Sequence, residues 1–174
     1  MYIQQADLLR GMGKDFLKAF HKIATKESCK AGDFLFRRGE EASCFYILVN
    51  GHVKLTLGDI GHVVYIVDRT GEAFGWSSLV RRETYSASAE CVIPTNVLKI
   101  ENDKLEKILE KHPAGEPIFF RHLAKILGDR LLRNYEMMPG ASQGETSLSY
   151  GTGQVMEGTE TVENRSSGQD SLLV

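Results

Sequence analysis

Cysteine is scarce in this chain of 174 residues, and Cys29, Cys44 and Cys91 lie too far apart to form a Cys-x-x-Cys pair. Three scattered thiols support neither a disulfide framework nor a zinc site. They read as small buried apolar groups in a reducing, cytoplasmic setting. No apolar run approaches the ~18 residues that span a bilayer. The first residues, Met1 to Asp7, lack a basic start followed by an apolar core, so no secretory leader is expected. A net charge of -2 makes no overall case for a nucleic-acid or membrane partner. Gly-x-Ser-x-Gly, the phosphate loop of nucleoside triphosphatases, paired catalytic carboxylates and His-x-His are all missing. His52 and His62 stand ten residues apart, and His21, His112 and His122 sit on or beside expected helices. No metal-ligand spacing results, and the chain is expected not to be an enzyme and to hold no metal.

Glycine and short apolar runs are plentiful. Phe16, Leu17, Phe20 and Ile23 recur at three- and four-residue steps and predict a helix over 13–25. From about residue 29 the period falls to two. Phe34 and Phe36 alternate, Phe45 to Val49 forms a continuous apolar run, and Asn50-Gly51 predicts a hairpin into Val53 and Leu55. Val63, Tyr65 and Val67 continue the pattern after a turn holding Gly58 and Gly61, and strands are expected near 85–92 and 95–100. Such spacing points to an antiparallel sandwich or barrel. Helical periodicity returns after Ile100. Asp103 and Glu106 predict a capped helix through Leu105, Ile108 and Leu109, closed by His112-Pro113. A long helix follows, with Pro117 in its first turn. Phe119, Leu123, Ile126, Leu127, Leu131 and Tyr135 form its apolar stripe, and Arg121, Lys125, Asp129, Arg130 and Arg133 its polar face. The stripe can pack on its own sheet or seat against a second copy through Leu123, Leu127 and Leu131.

The composition shifts after about residue 140. Residues 140–174 hold Glu145, Glu157, Glu160, Glu163 and Asp170 against Arg165, a formal -4 that leaves +2 for the rest. This stretch, without apolar periodicity, is expected to be a disordered acidic tail. It lacks the amphipathic helices and basic surface of a helix-turn-helix domain, so no direct DNA binding is expected.

One stretch carries the functional expectation: Gly71, Glu72, Ala73, Phe74, Gly75, Trp76, Ser77, Ser78 and Leu79, then a charged loop, then Tyr85, Ser86 and Ala87. Gly75 lets backbone amides approach an anion closely, and Ser77 and Ser78 can open a short helix with unbonded first amides. A glycine turn between strands accounts for the same residues.

The order of elements resembles the cyclic nucleotide-binding domain, as in the effector domain of the bacterial catabolite activator and fumarate–nitrate regulator family. The resembling segments are Lys30 to Glu40, Phe45 to Leu55, Gly71 to Gly75 and Ser86 to Ser88. The likeness covers about residues 13–137, with the jelly-roll at about 28–101 and helices at 102–137. It implies an α+β, mainly β fold: a double-stranded β-helix, or jelly-roll, with flanking helices and a long C-terminal helix. It also implies a homodimer through that helix, at Phe119, Leu123, Ile126, Leu127 and Leu131, and a regulatory role exerted on a protein partner. Residues 71–79 and 85–87 correspond to the family's phosphate-binding cassette.

Two positions depart from the family pattern. The glutamate that holds the ribose hydroxyl is replaced by Trp76, the chain's single tryptophan, and the arginine that neutralises the phosphate is replaced by Tyr85. Losing a charge-assisted contact and a carboxylate hydrogen bond forfeits about 1.5–3 kcal/mol each. Together they weaken binding by roughly two to four decades. Arg81 and Arg82 offer positive charge from the loop, or simply a solvated surface. Cyclic AMP is therefore not expected to bind in the usual way. A different small anionic or aromatic ligand, an unmodified cyclic nucleotide response, or a ligand-free dimeric scaffold are the alternatives.

Overall fold

A computed structural model describes residues 6–57, 62–136, 148–150 and 154–156. The chain divides into two compact units, Met1–Asn134 and Tyr135–Val174. In the first, a 3-10 turn at Asp7–Leu9 leads into α1 (Lys14–Ile23). Eight strands follow: β1 (Thr25–Cys29), β2 (Phe34–Phe36), β3 (Cys44–Asn50), β4 (Val53–Leu57), β5 (His62–Val67), β6 (Ala73–Phe74), β7 (Ser88–Cys91) and β8 (Thr95–Glu101). Two helices close the run, α2 (Asn102–Lys111) and α3 (Glu116–Glu136). The strands form two four-stranded antiparallel sheets, ordered β1-β8-β3-β6 and β2-β7-β4-β5. This is the mainly-β jelly-roll with flanking helices and a long C-terminal helix that the sequence implies.

β3 explains the architecture. Cys44 through Val49 are all buried, because the strand is covered on both faces. Phe45 and Ile47 point into a helical core with Phe16, Phe20, Leu105 and Phe119. Tyr46 and Leu48, one residue out of phase, point into the space between the sheets with Phe36, Val53, Val67, Phe74 and Tyr85. Fully burying each large apolar side chain contributes about 1.5–3 kcal/mol. Cys44 and Cys91 belong to the inter-sheet core as expected, whereas Cys29 is half-buried.

Several local expectations are corrected. Asn50-Gly51 does not close a hairpin: β3 pairs with β8 and β6, while β4 pairs with β5 and β7. The chain turns there from one sheet to the other. Gly51 has φ 107°, and a Cβ on it would sit 2.3 Å from Thr95 Oγ1, so this corner needs glycine for closeness as well as for angle. The first helix stops at Ile23, and Thr25 opens β1, which pairs with β8 in register Thr25↔Lys99. β1 carries no apolar alternation because it is a largely exposed edge strand. The strand expected at 85–92 begins only at Ser88, because Tyr85 exchanges backbone hydrogen bonds with Gly39 and Glu40 instead. α2 starts without a side-chain cap: Glu101 stands at the N-cap, and Asp103 lies inside the helix. The Gly58–Gly61 turn lies outside the described residues.

In the second unit, β9 (Leu148–Tyr150) pairs antiparallel with β10 (Gln154–Met156). A wholly disordered tail does not accommodate this pair. The rest of that expectation falls outside the described residues.

Candidate ligand-binding cassette

The cassette counterpart is stitched to β3 at its start. Gly71 donates to Leu48 O (2.8 Å), Leu48 donates to Glu72 O (2.9 Å), and β6 pairs Ala73 with Ile47 and Phe74 with Tyr46. The short β6 sends its two side chains to opposite sides, Ala73 to the helical core and Phe74 to the inter-sheet core. Gly71 and Gly75 both take left-handed angles, φ 86° and 73°, which mark the two bends of the segment. After Gly75 the chain makes a three-residue 3-10 turn at Ser78–Val80. Leu79 and Val80 donate back to Trp76 O. The turn ends on Arg81, held at φ 55°, and Arg82 donates to Ser77 O (3.0 Å).

The side chains of the cassette turn inward. Ser77 and Ser78 are buried; Ser78 Oγ donates to Gly75 O, and Ser86 N donates to Ser77 Oγ, both at 3.4 Å. Ala87 is half-buried beside them. Trp76 is half-buried and packs against the helical core that includes Ala73 and Leu79. Arg81 and Arg82 are exposed.

Tyr85 decides what surrounds Gly75. Its ring stacks on Phe36 with centroids 3.9 Å apart and planes 16° off parallel. Its hydroxyl donates to Cys44 O (2.6 Å) and accepts from Cys44 N (3.2 Å), so its hydrogen bonds go to β3. Burial pushes the Tyr85 phenol up to about 12. Tyr46 and Phe74 extend the cluster, with centroids 5.5 Å apart, and Tyr46 donates to Leu35 O. Burial raises the Tyr46 phenol as well. A Cβ on Gly75 would meet Phe36 at 3.1 Å and Tyr46 at 3.2 Å. The inner side of this glycine is therefore lined by aromatic rings.

The family model for the cyclic nucleotide-binding domain matches residues 26–112. The chain belongs to this family. Within it, the chain is 28% identical over 130 residues to human cGMP-dependent protein kinase 2, an alignment covering 72% of this chain and 16% of the kinase. The chain thus spans about a sixth of that relative. Among solved structures, the Thermus thermophilus catabolite activator protein matches with TM-score 0.62 at 22% identity, over 75% of this chain and 61% of that one. The sensor domain of the transcriptional regulator DNR from Pseudomonas aeruginosa matches with TM-score 0.62 at 23% identity, over 82% and 94%. These two likenesses show the fold.

The long helix α3 brings to the start of the cassette a contact that the sequence reading missed. Arg130, assigned to the polar face of α3, is 7% exposed. Its Nη2 donates to Glu72 Oε1 (3.1 Å) and to Ala73 O, and its Cζ lies 4.5 Å from the Tyr65 ring centroid. Tyr65 donates its hydroxyl proton to the same Glu72 oxygen (2.6 Å). Glu72 is 3% exposed. Helical geometry held the signal. At about 100° per residue, Arg130 points within about 20° of Phe119, whereas Leu131 points about 120° away. The buried face is Phe119, Leu123, Ile126, Arg130, and the predicted stripe through Leu131 and Tyr135 leaves it.

Proposed function

We propose that this chain is a regulatory domain of the cyclic nucleotide-binding family whose cassette does not hold cyclic AMP in the usual way. The observation that carries the reading is Tyr85. At the position of the phosphate-binding arginine stands a neutral, buried ring, stacked on Phe36 with its hydroxyl bonded to Cys44. Trp76, in place of the ribose-binding glutamate, packs against the helical core. Neither can supply charge to a cyclic phosphate. An anionic or aromatic ligand of another kind, or none, fits the cassette better.

The domain acts through a protein partner and as a homodimer, in a cytoplasmic setting, and is neither an enzyme nor a direct DNA binder. Among the described residues, no helix is long and apolar enough to cross a membrane. The dimer seam needs revision from the sequence expectation, since Phe119 and Leu123 are buried in their own core. Phe120, Ala124, Leu127 and Leu131 follow the four-three-four spacing of a coiled-coil seam, and Phe120 and Leu131 are 37% and 50% exposed.

Titration calorimetry with cyclic AMP and cyclic GMP tests the cassette reading. No saturable heat up to about 1 mM of either nucleotide is expected, and a micromolar Kd for one of them overturns it.

A further inference from the structure

A cavity of about 410 Å³ lies between α3, the 3-10 turn near the N-terminus and the segment from Tyr65 to Ala73. Two opposite-charge pairs on its wall, Asp7–Arg10 and Lys125–Asp129, neutralise themselves. The remaining charge does not cancel. Arg69, Arg130 and Arg133 also line the cavity, with Glu72 as the carboxylate among them. Arg130 holds Glu72 Oε1 at 3.1 Å, while Arg69 Nε stands 3.8 Å from Oε2. Arg133 reaches only the Tyr65 hydroxyl (3.3 Å), whose proton already goes to Glu72. The wall as a whole carries five cations (Arg10, Arg69, Lys125, Arg130, Arg133) against three carboxylates (Asp7, Glu72, Asp129), an excess of two positive charges.

Arg130 supplies the second observation. It is more than nine-tenths buried, and its Nε and Nη1 have no hydrogen-bond partner. A buried cation with unmet donors is costly unless something supplies acceptors and negative charge. Glu72 Oε1 answers the charge of Arg130, but Arg130 Nε and Nη1 still lack acceptors, and Glu72 Oε2 lacks a donor. Tyr65, Ala73 and Ile126 give the same wall an apolar component, which suits a small organic skeleton.

We propose that this cavity is a binding site for a small oxyanion, bearing a phosphate or carboxylate group, held by Arg130 with Arg133 and Arg69. Guanidinium forks match the planar spacing of carboxylate and phosphate oxygens, which a neutral ligand would not exploit. Occupancy would tie α3 to the cassette entry, because Arg130 and Arg133 are on the helix and Glu72 is in the cassette.

The test is calorimetric titration of the whole chain with inorganic phosphate and, separately, with succinate, at ionic strength held constant with sodium chloride. The expected result is saturable binding of at least one probe with Kd below about 5 mM. Phosphate alone identifies a phosphate-bearing ligand, and succinate alone a carboxylate-bearing one. Arg133→Gln and Arg69→Gln, at less buried positions, should each weaken the better probe by about tenfold while leaving the circular dichroism spectrum unchanged. Arg130→Gln should abolish it, but the two outer variants keep the test independent of whether that one folds. Absence of saturation with both probes, or equal binding by the wild type and both outer variants, overturns the site. The cavity shares Glu72 and Ala73 with the cassette, but Arg69 and Arg133 lie outside it, so loss of probe binding in their variants marks this site and leaves the cyclic nucleotide titration to be judged by itself.

Discussion

At the scale of single residues, Tyr85 ties the cassette loop to the core. Its hydroxyl joins the cassette loop to both backbone groups of Cys44, across 41 residues of sequence. Tyr85→Phe leaves those buried groups short of a partner and should destabilise the fold by about 1–2 kcal/mol, read as a lower urea midpoint at pH 7. The same residue sets a pH response. Burial lifts the Tyr85 phenol from 10.0 to about 12 and the Cys91 thiol from 9.0 to about 11. Between those limits the unfolded chain ionises while the folded chain keeps its protons. The folded state then binds more protons, so stability falls as pH rises from about 9 to 12. Urea midpoints taken from pH 8 to 11.5 should drop steadily. The Tyr85→Phe protein should lose less of its stability above pH 10 than the parent does, and parallel curves would show that Tyr85 does not contribute. The sequence marks Tyr85 as a cassette residue. Where its ring would go was not legible, because its stacking partner Phe36 comes from a strand 49 residues earlier.

At the scale of elements, the join between α3 and the start of the cassette rests on Glu72 and Arg130. Removing one member of a buried ion pair leaves an uncompensated charge, which costs about 3–5 kcal/mol. Arg130→Met should therefore be strongly destabilising, whereas the double variant Glu72→Gln with Arg130→Met should recover at least about 1 kcal/mol of that loss. A double-mutant cycle by urea denaturation measures the coupling, and additive losses would exclude a direct interaction. The pair was hidden from sequence reading for a physical reason. An arginine on a helix is ordinarily solvent-facing, and hydrophobicity alone extended the stripe into Leu131. The 100° step per residue contains the correction, since Arg130 continues the direction of Phe119, Leu123 and Ile126. β1 was missed in a similar way. An edge strand with polar residues on its exposed face has no hydrophobic period to detect, and only its register with β8 reveals it.

At the scale of the whole molecule, the exposed seam of α3 is where a second copy would sit. Phe120 and Leu131 are exposed on one side of the helix, and half-buried Leu127 lies between that side and the core of Phe119 and Leu123. Light scattering should give twice the chain mass at micromolar concentration, and Leu131→Glu should shift the population to monomer. A wild-type monomer at high concentration would remove the dimer from the proposal.

The sequence by itself determined the fold class, because period-two and period-3.6 patterning are local consequences of how side chains alternate on strands and helices. Glycine spacing and residue identity also carry the expectation of a cassette at residues 71–79 and 85–87 with Trp76 and Tyr85 in it. Only the tertiary structure decided which strands pair. Asn50-Gly51 is a good hairpin turn locally, and the close approach of Thr95 with the inter-sheet core makes it a corner instead. Only the tertiary structure, too, placed Tyr85 against Phe36 and Arg130 against Glu72. Both contacts join residues far apart in the chain, and their energies come from burial and charge pairing that no local pattern encodes.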